Sequence, residues 1–334
     1  MSAYPTTEDN KKLVRELSLL DATMIVVGSM IGSGIFIVSS ESARLLGAPG
    51  WLLVAWLLAG MMTITGALCF GELAAAMPRA GGPYVFMSEA YGKPVGFLYG
   101  WSQFLIVQSG TIAAVAVAFA RFLGVLFPSV SPTTWIIPPI NLTSGYAVSL
   151  SVQQLVAVLL IIFLTFLNMQ GLKLGKWIQN RFTSAKTLSL IALKLLGIIV
   201  RGAMTDAFSN NWANLFTVQN AATIKPDFAF LPEVSVTSGL FGLIVAFGVA
   251  QVGSLFSSDA WNNITFTAGE VKEPQKNIPL SLALGTGLVI SLYILANFAY
   301  LATLSLHQIQ NAPEDRVGTL ALDTIFGAGG AVIM

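Results

Sequence analysis

The stretch Val27-Gly28-Ser29-Met30-Ile31-Gly32-Ser33-Gly34-Ile35-Phe36 places a glycine–serine break inside an apolar segment that is long enough to cross a membrane. Such a break frees backbone N–H and C=O groups that lipid cannot bond. Irregular backbone at membrane depth is tolerated only where protein buries it or where it lines a cavity. The break therefore predicts a site for a polar solute near the middle of the membrane.

The composition is that of an integral membrane protein. Of the 334 residues, 55% are hydrophobic and only 10% are charged, whereas a soluble domain usually carries about a quarter charged residues. The formal net charge of +1 does not indicate a nucleic-acid partner. The single cysteine, Cys69, excludes an internal disulfide and a cysteine-rich metal site. We expect neither a metal nor a cofactor.

Seven apolar runs are long enough to span a bilayer, which takes roughly 20 residues per helix. They cover residues 19–46, 51–77, 95–120, 147–167, 182–200, 234–263 and 278–304, and an eighth begins near Gly318 and reaches Met334. We therefore expect an all-α integral membrane protein. Its final residues lie within an apolar run, so we expect a C-terminally truncated chain with helices 1–7 and the start of helix 8.

Lysine and arginine residues are distributed unequally between the two sides of these spans. Ten lie on the side of the N-terminus and five on the opposite side. By the positive-inside rule the N-terminus is cytoplasmic, in a cell inner (plasma) membrane. Residues 1–18 then form a cytoplasmic tail, and the loops 121–146 and 202–233 face outward. Lys194 lies inside the fifth run, where the sequence assigns it no role.

A second interruption occurs in the sixth run, where apolar residues give way to Ser257-Ser258-Asp259-Ala260-Trp261. Interrupted helices in corresponding positions of two halves point to a binding site between inverted repeats, as in LeuT-type carriers. We predict a LeuT-like inverted-repeat fold in a single transporter domain, 1–334, with repeats at 19–201 and, in part, at 234–334. The alternative is that Gly28 and Gly32 only allow close helix packing.

The two breaks are chemically suited to a zwitterion. The half-helix after Gly32 presents the N–H groups of Ser33, Gly34 and Ile35, and the positive end of its dipole, to a carboxylate. A side chain at position 32 or 34 would block the approach of a ligand to the backbone. An ammonium would be bound by the carbonyls that the breaks free, which are those of Met30, Ile31, Phe256 and Ser257.

Three sets of residues resemble the amino acid–polyamine–organocation superfamily, most closely its bacterial L-type amino acid transporter branch. They are Gly32-Ser33-Gly34-Ile35-Phe36, then Gly71-Glu72-Leu73-Ala74-Ala75-Ala76-Met77-Pro78-Arg79-Ala80-Gly81-Gly82-Pro83-Tyr84, then Gly269-Glu270-Val271-Lys272 with Pro274 and Asn277-Ile278-Pro279. The resemblance covers nearly the whole chain in order. It implies a LeuT-like fold and a secondary active amino acid transporter or exchanger that works by alternating access.

The substrate class is less specific than the family. We expect small or medium neutral amino acids, because the spans lack a surplus of acidic residues. Cationic amino acids or polyamines are the alternative substrates. A channel or an amino acid sensor is the alternative from another class. No nucleophile elbow, zinc-protease motif or phosphate-binding loop occurs in the sequence, so we expect no enzyme.

The resemblance also suggests roles for single residues. The turn Gly32–Gly34 corresponds to a carboxylate-binding turn, and Phe256 to an aromatic gate over the substrate. Ser257 and Asp259 fall in the unwound part of the sixth helix. Three roles stay open for Asp259: contact with a basic substrate side chain, gating, or capping of the restarted helix.

Lys186 ends the segment Phe182-Thr183-Ser184-Ala185-Lys186, which resembles the L-type pattern of a fifth-helix lysine that approaches the first helix. The resemblance implies that its ammonium stands where LeuT-type carriers hold sodium, and hence that transport is sodium-independent. A charge inside the membrane is costly and indicates function by default. The alternative is that Lys186 reaches the cytoplasmic interface near Arg181.

Three further charges, Glu72, Arg79 and Glu270, lie at predicted cytoplasmic helix ends. They are either solvated surface charges or, by the resemblance, parts of an inner gate, for which Glu72 is our candidate. Animal L-type carriers bind a glycoprotein heavy chain through a cysteine in the loop that corresponds to 121–146, which has none here. We therefore expect the amino acid and the lipid bilayer as partners, without a disulfide-linked heavy chain or nucleic acid. The oligomeric state does not follow from the sequence.

Overall fold

The structure is a computed structural model that describes residues 15–143, 146–169, 172–195, 206–225 and 233–327. Its helices are α1 Leu19–Met30, α2 Gly34–Leu46, α3 Pro49–Ala76, α4 Pro83–Tyr91, α5 Lys93–Ser102, α6 Ser109–Leu126, α7 Val152–Asn168, α8 Leu172–Leu195, α9 Asp206–Ala213, α10 Gly239–Ser257, α11 Asn263–Phe266, α12 Pro274–Thr303, α13 Leu306–Gln310 and α14 Val317–Phe326. A π-helical segment, Gln103–Gln108, joins α5 to α6 in one continuous span. The strands β1 Trp135–Thr143 and β2 Tyr146–Ser151 form an antiparallel hairpin.

Long apolar helices dominate the described residues, which confirms the prediction of a mostly helical, multi-pass membrane protein. Four of them are long and apolar enough to cross a bilayer: Pro49–Ala76, Lys93–Leu126, Gly239–Ser257 and Pro274–Thr303. The pair α1 and α2 passes the same test when it is taken as one span, bent by 43° at its break. The first interrupted helix is therefore present where the glycine–serine stretch predicts it.

The hairpin shows that the all-α expectation is wrong for the loop between the third and fourth spans. Residues 147–151 belong to β2 and not to a helix. The helix starts only at Val152 because Ser151 and Gln154 form a capping box, in which each side chain bonds the backbone N–H of the other residue.

The predicted eighth span also differs in its described part. The helix there, α14, has ten residues and ends at Gly327, which has a φ of 73°. Ten helical residues rise about 15 Å, half the thickness of the hydrocarbon core. The apolar run therefore does not continue as one helix through Gly327, whose φ favours glycine.

The centre of the packed core is α12, which lies against both α1 and α3. Trp56 of α3 and Tyr293 of α12 are almost fully buried, and their rings meet edge to face with centroids 5.7 Å apart. Gly60 allows this close approach, because a Cβ there would collide with Ile290 of α12. On the other side of the first break, α2 packs against α10. The start of α2 and the end of α10 therefore lie in contact, with Gly34 against Ser257.

Candidate substrate site

The first break consists of three residues between α1 and α2. Ile31 leaves the helical conformation, with φ −72° and ψ 94°, and α2 starts at Gly34. Among the described residues, no acceptor is bonded to the N–H groups of Ser33 and Gly34. The helix N-terminus therefore offers two unpaired donors, the chemistry expected of a carboxylate site.

The two glycines of this turn differ in their surroundings. A Cβ at Gly32 would have Met30 O, at 4.0 Å, as its nearest atom. A Cβ at Gly34 would lie only 2.7 Å from the Cβ of Ser257. Space for a ligand therefore exists beside Gly32. Gly34 is required because a side chain there would collide with Ser257 at the second break. The sequence analysis gave a different reason, the approach of a ligand to the backbone.

The second break follows Ser257, where the helical pattern of α10 ends. The N–H of Ser258 still bonds the carbonyls of Ser254 and Leu255, at 3.1 and 3.0 Å. Ala260 then adopts a φ of 68°, in the left-handed region, and the short helix α11 begins at Asn263. This change of direction is how the chain passes from the apolar α10 to the polar segment that the sequence singles out.

Tyr293 joins the two breaks and was missed by the sequence analysis. Its hydroxyl lies 2.8 Å from Met30 O and 3.2 Å from Ser257 O, and accordingly donates its proton to either carbonyl. Asn297 and Tyr300, one and two turns further along α12, bond Ser39 and the carbonyl of Ile35 in α2. A polar stripe at this spacing on an apolar helix is the signal that could have revealed it.

Lys186 of α8 lies beside the first break. Its Nζ donates to the carbonyls of Ile31, at 3.0 Å, and of Gly28, at 3.4 Å. Arg181 instead stacks on the ring of Trp177, 5.4 Å from its centroid. The structure thus brings the ammonium to the first helix and not to the interface near Arg181. The side chain of Lys194 lies outside the described residues.

The four carbonyls expected to bind a substrate ammonium all lie within bonding distance of a donor in the protein. Met30 and Ser257 share the single proton of the Tyr293 hydroxyl, and Ile31 accepts from Lys186. The carbonyl of Phe256 accepts from the N–H of Asp259, at 3.3 Å. The expectation that these carbonyls stand free is therefore wrong. An ammonium would have to share them through their second lone pairs.

An open cavity of about 360 Å³ adjoins the second break, a size typical of small-molecule sites. Its lining residues come from α3 and from the region of the second break: Met62, Thr63, Leu255, Phe256, Asp259 and Trp261. Phe256 is 56% exposed. No residue of the glycine turn lines this cavity, so it lies beside the turn and does not include it.

Asp259 is exposed within this cavity, and its carboxylate lies within electrostatic reach of Tyr99 of α5. The cap of α11 is Asn262, which makes no side-chain cap bond. The Asp259 carboxylate makes no hydrogen bond to any described residue. The capping interpretation is therefore wrong, and substrate contact or gating is left.

Residues 17–334 match the family model described as amino acid permease. The chain belongs to this family.

Curated relatives of this permease are exchangers and transporters of amino acids. The serine/threonine exchanger SteT of Bacillus subtilis is 28% identical over 98% of this chain and 64% of its own length. The mouse b(0,+)-type amino acid transporter 1 is 27% identical over 98% of this chain and 58% of its own length. The human large neutral amino acids transporter small subunit 2 is 28% identical over 94% of this chain and 51% of its own length. The permease chain thus spans about half to two thirds of the length of these relatives.

The charges expected at the inner gate of the permease are not brought together. Glu72 is exposed and makes no ion pair with a described residue. Arg79 instead faces Glu89 at 3.5 Å, with both side chains about two thirds exposed. Oε2 of Glu270 is buried and has no hydrogen-bond partner among the described residues. Within these residues, no group of three or more His, Cys, Asp or Glu side chains could hold a metal ion.

Proposed function

We propose that this permease is a secondary active transporter that exchanges small or medium neutral amino acids by alternating access, in a LeuT-like fold of inverted repeats. The observation that carries the proposal is the pair of unpaired N–H groups of Ser33 and Gly34 at the N-terminus of α2. A substrate carboxylate would accept both and would lie at the positive end of the helix dipole. The exchangers and transporters among its relatives support the same function.

The test is counterflow in proteoliposomes that contain the permease. Vesicles loaded with unlabelled serine or leucine should accumulate labelled serine or leucine, and the loading should be required. The corresponding amino acid amides should not compete, because they lack the carboxylate that the Ser33 and Gly34 N–H groups bind. Equal competition by the amides contradicts the proposed carboxylate site. Uptake that does not depend on the internal amino acid identifies a channel instead of an exchanger.

We further propose that transport is independent of sodium. A fixed ammonium on Lys186, bonded to the Ile31 carbonyl, supplies beside the first break the charge that sodium supplies in LeuT-type carriers. A cation bound there in addition would be repelled at close range. Rates in sodium, potassium and choline buffers should therefore be equal. A strict requirement for sodium contradicts this proposal while leaving amino acid exchange intact.

Cationic amino acids are the second candidate substrates, and one observation favours them. Asp259 presents a carboxylate without a hydrogen-bond partner among the described residues, in a cavity that also holds Phe256 and Trp261. A lysine or arginine side chain placed there would pair with the carboxylate and pack on the rings. If the Asp259→Asn variant loses lysine uptake and keeps leucine uptake, cationic substrates are supported. An unchanged preference excludes them.

The remaining parts of the proposal concern the membrane, the orientation, the partners and the gating residues of the transporter. We place it in the cell inner (plasma) membrane with a cytoplasmic N-terminus, on the unequal distribution of lysine and arginine. We propose that it works without a disulfide-linked heavy chain, because the loop 121–146 contains no cysteine. Glu72 and Phe256 are proposed as inner and outer gating residues. Labelling of single cysteines placed in the loop 202–233, from outside intact cells, tests the orientation.

A further inference from the structure

The hairpin formed by β1 and β2 is apolar and uncovered on both faces. Six of its large apolar side chains are between 43% and 67% exposed: Trp135, Ile136, Ile137, Ile140, Leu142 and Val148. A two-stranded hairpin alone is marginally stable in water. An uncovered apolar surface of this kind indicates that something covers it.

Charge distinguishes this loop from the longer loops of the molecule. Between Arg121 and Lys173 the sequence contains no charged residue, and this interval includes the whole hairpin. The short segment between α13 and α14, by contrast, carries Glu314, Asp315 and Arg316. A loop surrounded by water normally carries charges, whereas a segment in contact with lipid excludes them.

The base of the hairpin is fixed at the ends of two apolar helices. The N–H of Val152, the first residue of α7, bonds the carbonyl of Thr134 at 2.9 Å, just before β1. Ser151 is both the last residue of β2 and the cap of α7. The helices α6 and α7 expose apolar side chains such as Phe119 and Phe163. β2 therefore runs into α7 without a linker, and the apolar surface of the hairpin adjoins the lipid-facing surface of this span.

The length and backbone of β1 further restrict what can lie against the apolar surface of the hairpin. Nine extended residues span about 30 Å, so a hairpin that stood upright would hold its apolar side chains far out in water. Pro138 and Pro139 lack N–H groups and oppose the pairing of a further strand with this edge, including one from a second copy. The unpaired outer backbone groups require some water and exclude the hydrocarbon core.

We propose that the hairpin lies flat in the interfacial layer of the bilayer, at the surface where α6 ends and α7 begins. The apolar side chains rest on the acyl chains, and the backbone edge and the indole N–H of Trp135 meet the headgroups. Tryptophan and tyrosine prefer this depth. The inference does not depend on the transported substrate.

The test uses nitroxide labels on the permease in phosphatidylcholine nanodiscs. Leu142→Cys and Ile136→Cys are labelled separately in a Cys69→Ser background, with His307→Cys, an exposed residue of α13, as the matched control. Collision with oxygen, which concentrates among acyl chains, is compared with collision with a water-soluble nickel complex. We expect the ratio of oxygen to nickel collisions to be higher at both hairpin positions than at position 307.

Two results would overturn the inference. Nickel accessibility at the hairpin equal to that at position 307 would place the hairpin in water. Labels that neither reagent reaches would show that protein covers the hairpin. Both Cys positions are exposed, so the substitutions remove no buried contact. A monodisperse gel-filtration peak for each variant ensures that the comparison concerns folded protein.

Discussion

At the scale of single residues, Gly32 and Gly34 lie two positions apart, yet the space beside them differs. A Cβ at position 32 has open space, with its nearest atom 4.0 Å away. Neither glycine has the positive φ that only glycine readily adopts. We therefore expect Gly32→Ala to fold normally and to weaken substrate binding by about tenfold, because the methyl group enters the ligand space. Normal affinity in a binding assay would move the carboxylate site elsewhere.

Gly34→Ala is the matched comparison, because its methyl group meets Ser257 instead of open space. Overpacking of this kind typically costs about 1–3 kcal/mol. The variant should therefore lower the Tm of the solubilised protein more than Gly32→Ala does. If Gly34→Ala is as stable as the parent protein, the breaks are farther apart than the structure shows.

The Tyr293 hydroxyl links the two breaks. The substitution Tyr293→Phe removes this hydroxyl without changing the ring. The carbonyls of Met30 and Ser257 then lose their donor, and an unpaired buried polar group costs about 1–3 kcal/mol. Tyr300→Phe is the control, since its hydroxyl lies 3.4 Å from the Ile35 carbonyl, a weaker bond. Thermal unfolding should show the larger loss for Tyr293→Phe. Equal losses would contradict a special role for the bridge.

At the scale of elements, a buried amide links α9 to the end of α12, beside the ring contacts of Phe208 and Trp212 with Phe298. Asn211 donates to the carbonyls of Leu301 and Leu304, both at 2.8 Å, and accepts from the N–H of Leu306 at 3.1 Å. Asn211→Ala leaves three buried backbone groups unpaired, so we expect a loss of more than about 2 kcal/mol in the free energy of unfolding. The exposed neighbour Asn210, changed to Ala, should cost far less. Denaturation of both variants in the same detergent measures the difference.

The sequence predicts elements that depend on local composition, but not contacts between residues that are far apart in the chain. Apolar runs predict α3, α10 and α12 because burial in lipid is read from local composition. The start of α7 was predictable from the capping box Ser151 to Gln154, but the hairpin before it was not, because its prolines and bulges disturb the alternation of a strand. The contact of Gly34 with Ser257 joins residues far apart in sequence, and only the fold reveals it.

At the scale of the whole molecule, the two breaks, α8 and α12 meet around one point. Lys186 holds the carbonyls at the end of α1 from one side, and Tyr293 holds both breaks from the other. A substrate that binds at the Ser33 and Gly34 N–H groups would act directly on this junction. The two interrupted helices would then change their packing together, which is how binding at one turn could drive a transition of the whole protein.

The last prediction tests this coupling through Lys186→Ala. The substitution removes the donor to the Ile31 and Gly28 carbonyls, so the C-terminal end of α1 loses its bonds to α8. The carboxylate donors of Ser33 and Gly34 are untouched. We therefore expect substrate binding to change little while counterflow slows about tenfold or more, in choline and in sodium buffer alike. Arg181→Ala is the control on the same helix, because Arg181 stacks on Trp177 and does not contact the break.

Full counterflow activity of Lys186→Ala in sodium-free buffer would show that the ammonium does not couple the helices. A slow variant that sodium restores would contradict the equal slowing expected here, and would show that an ion can take the place of the ammonium.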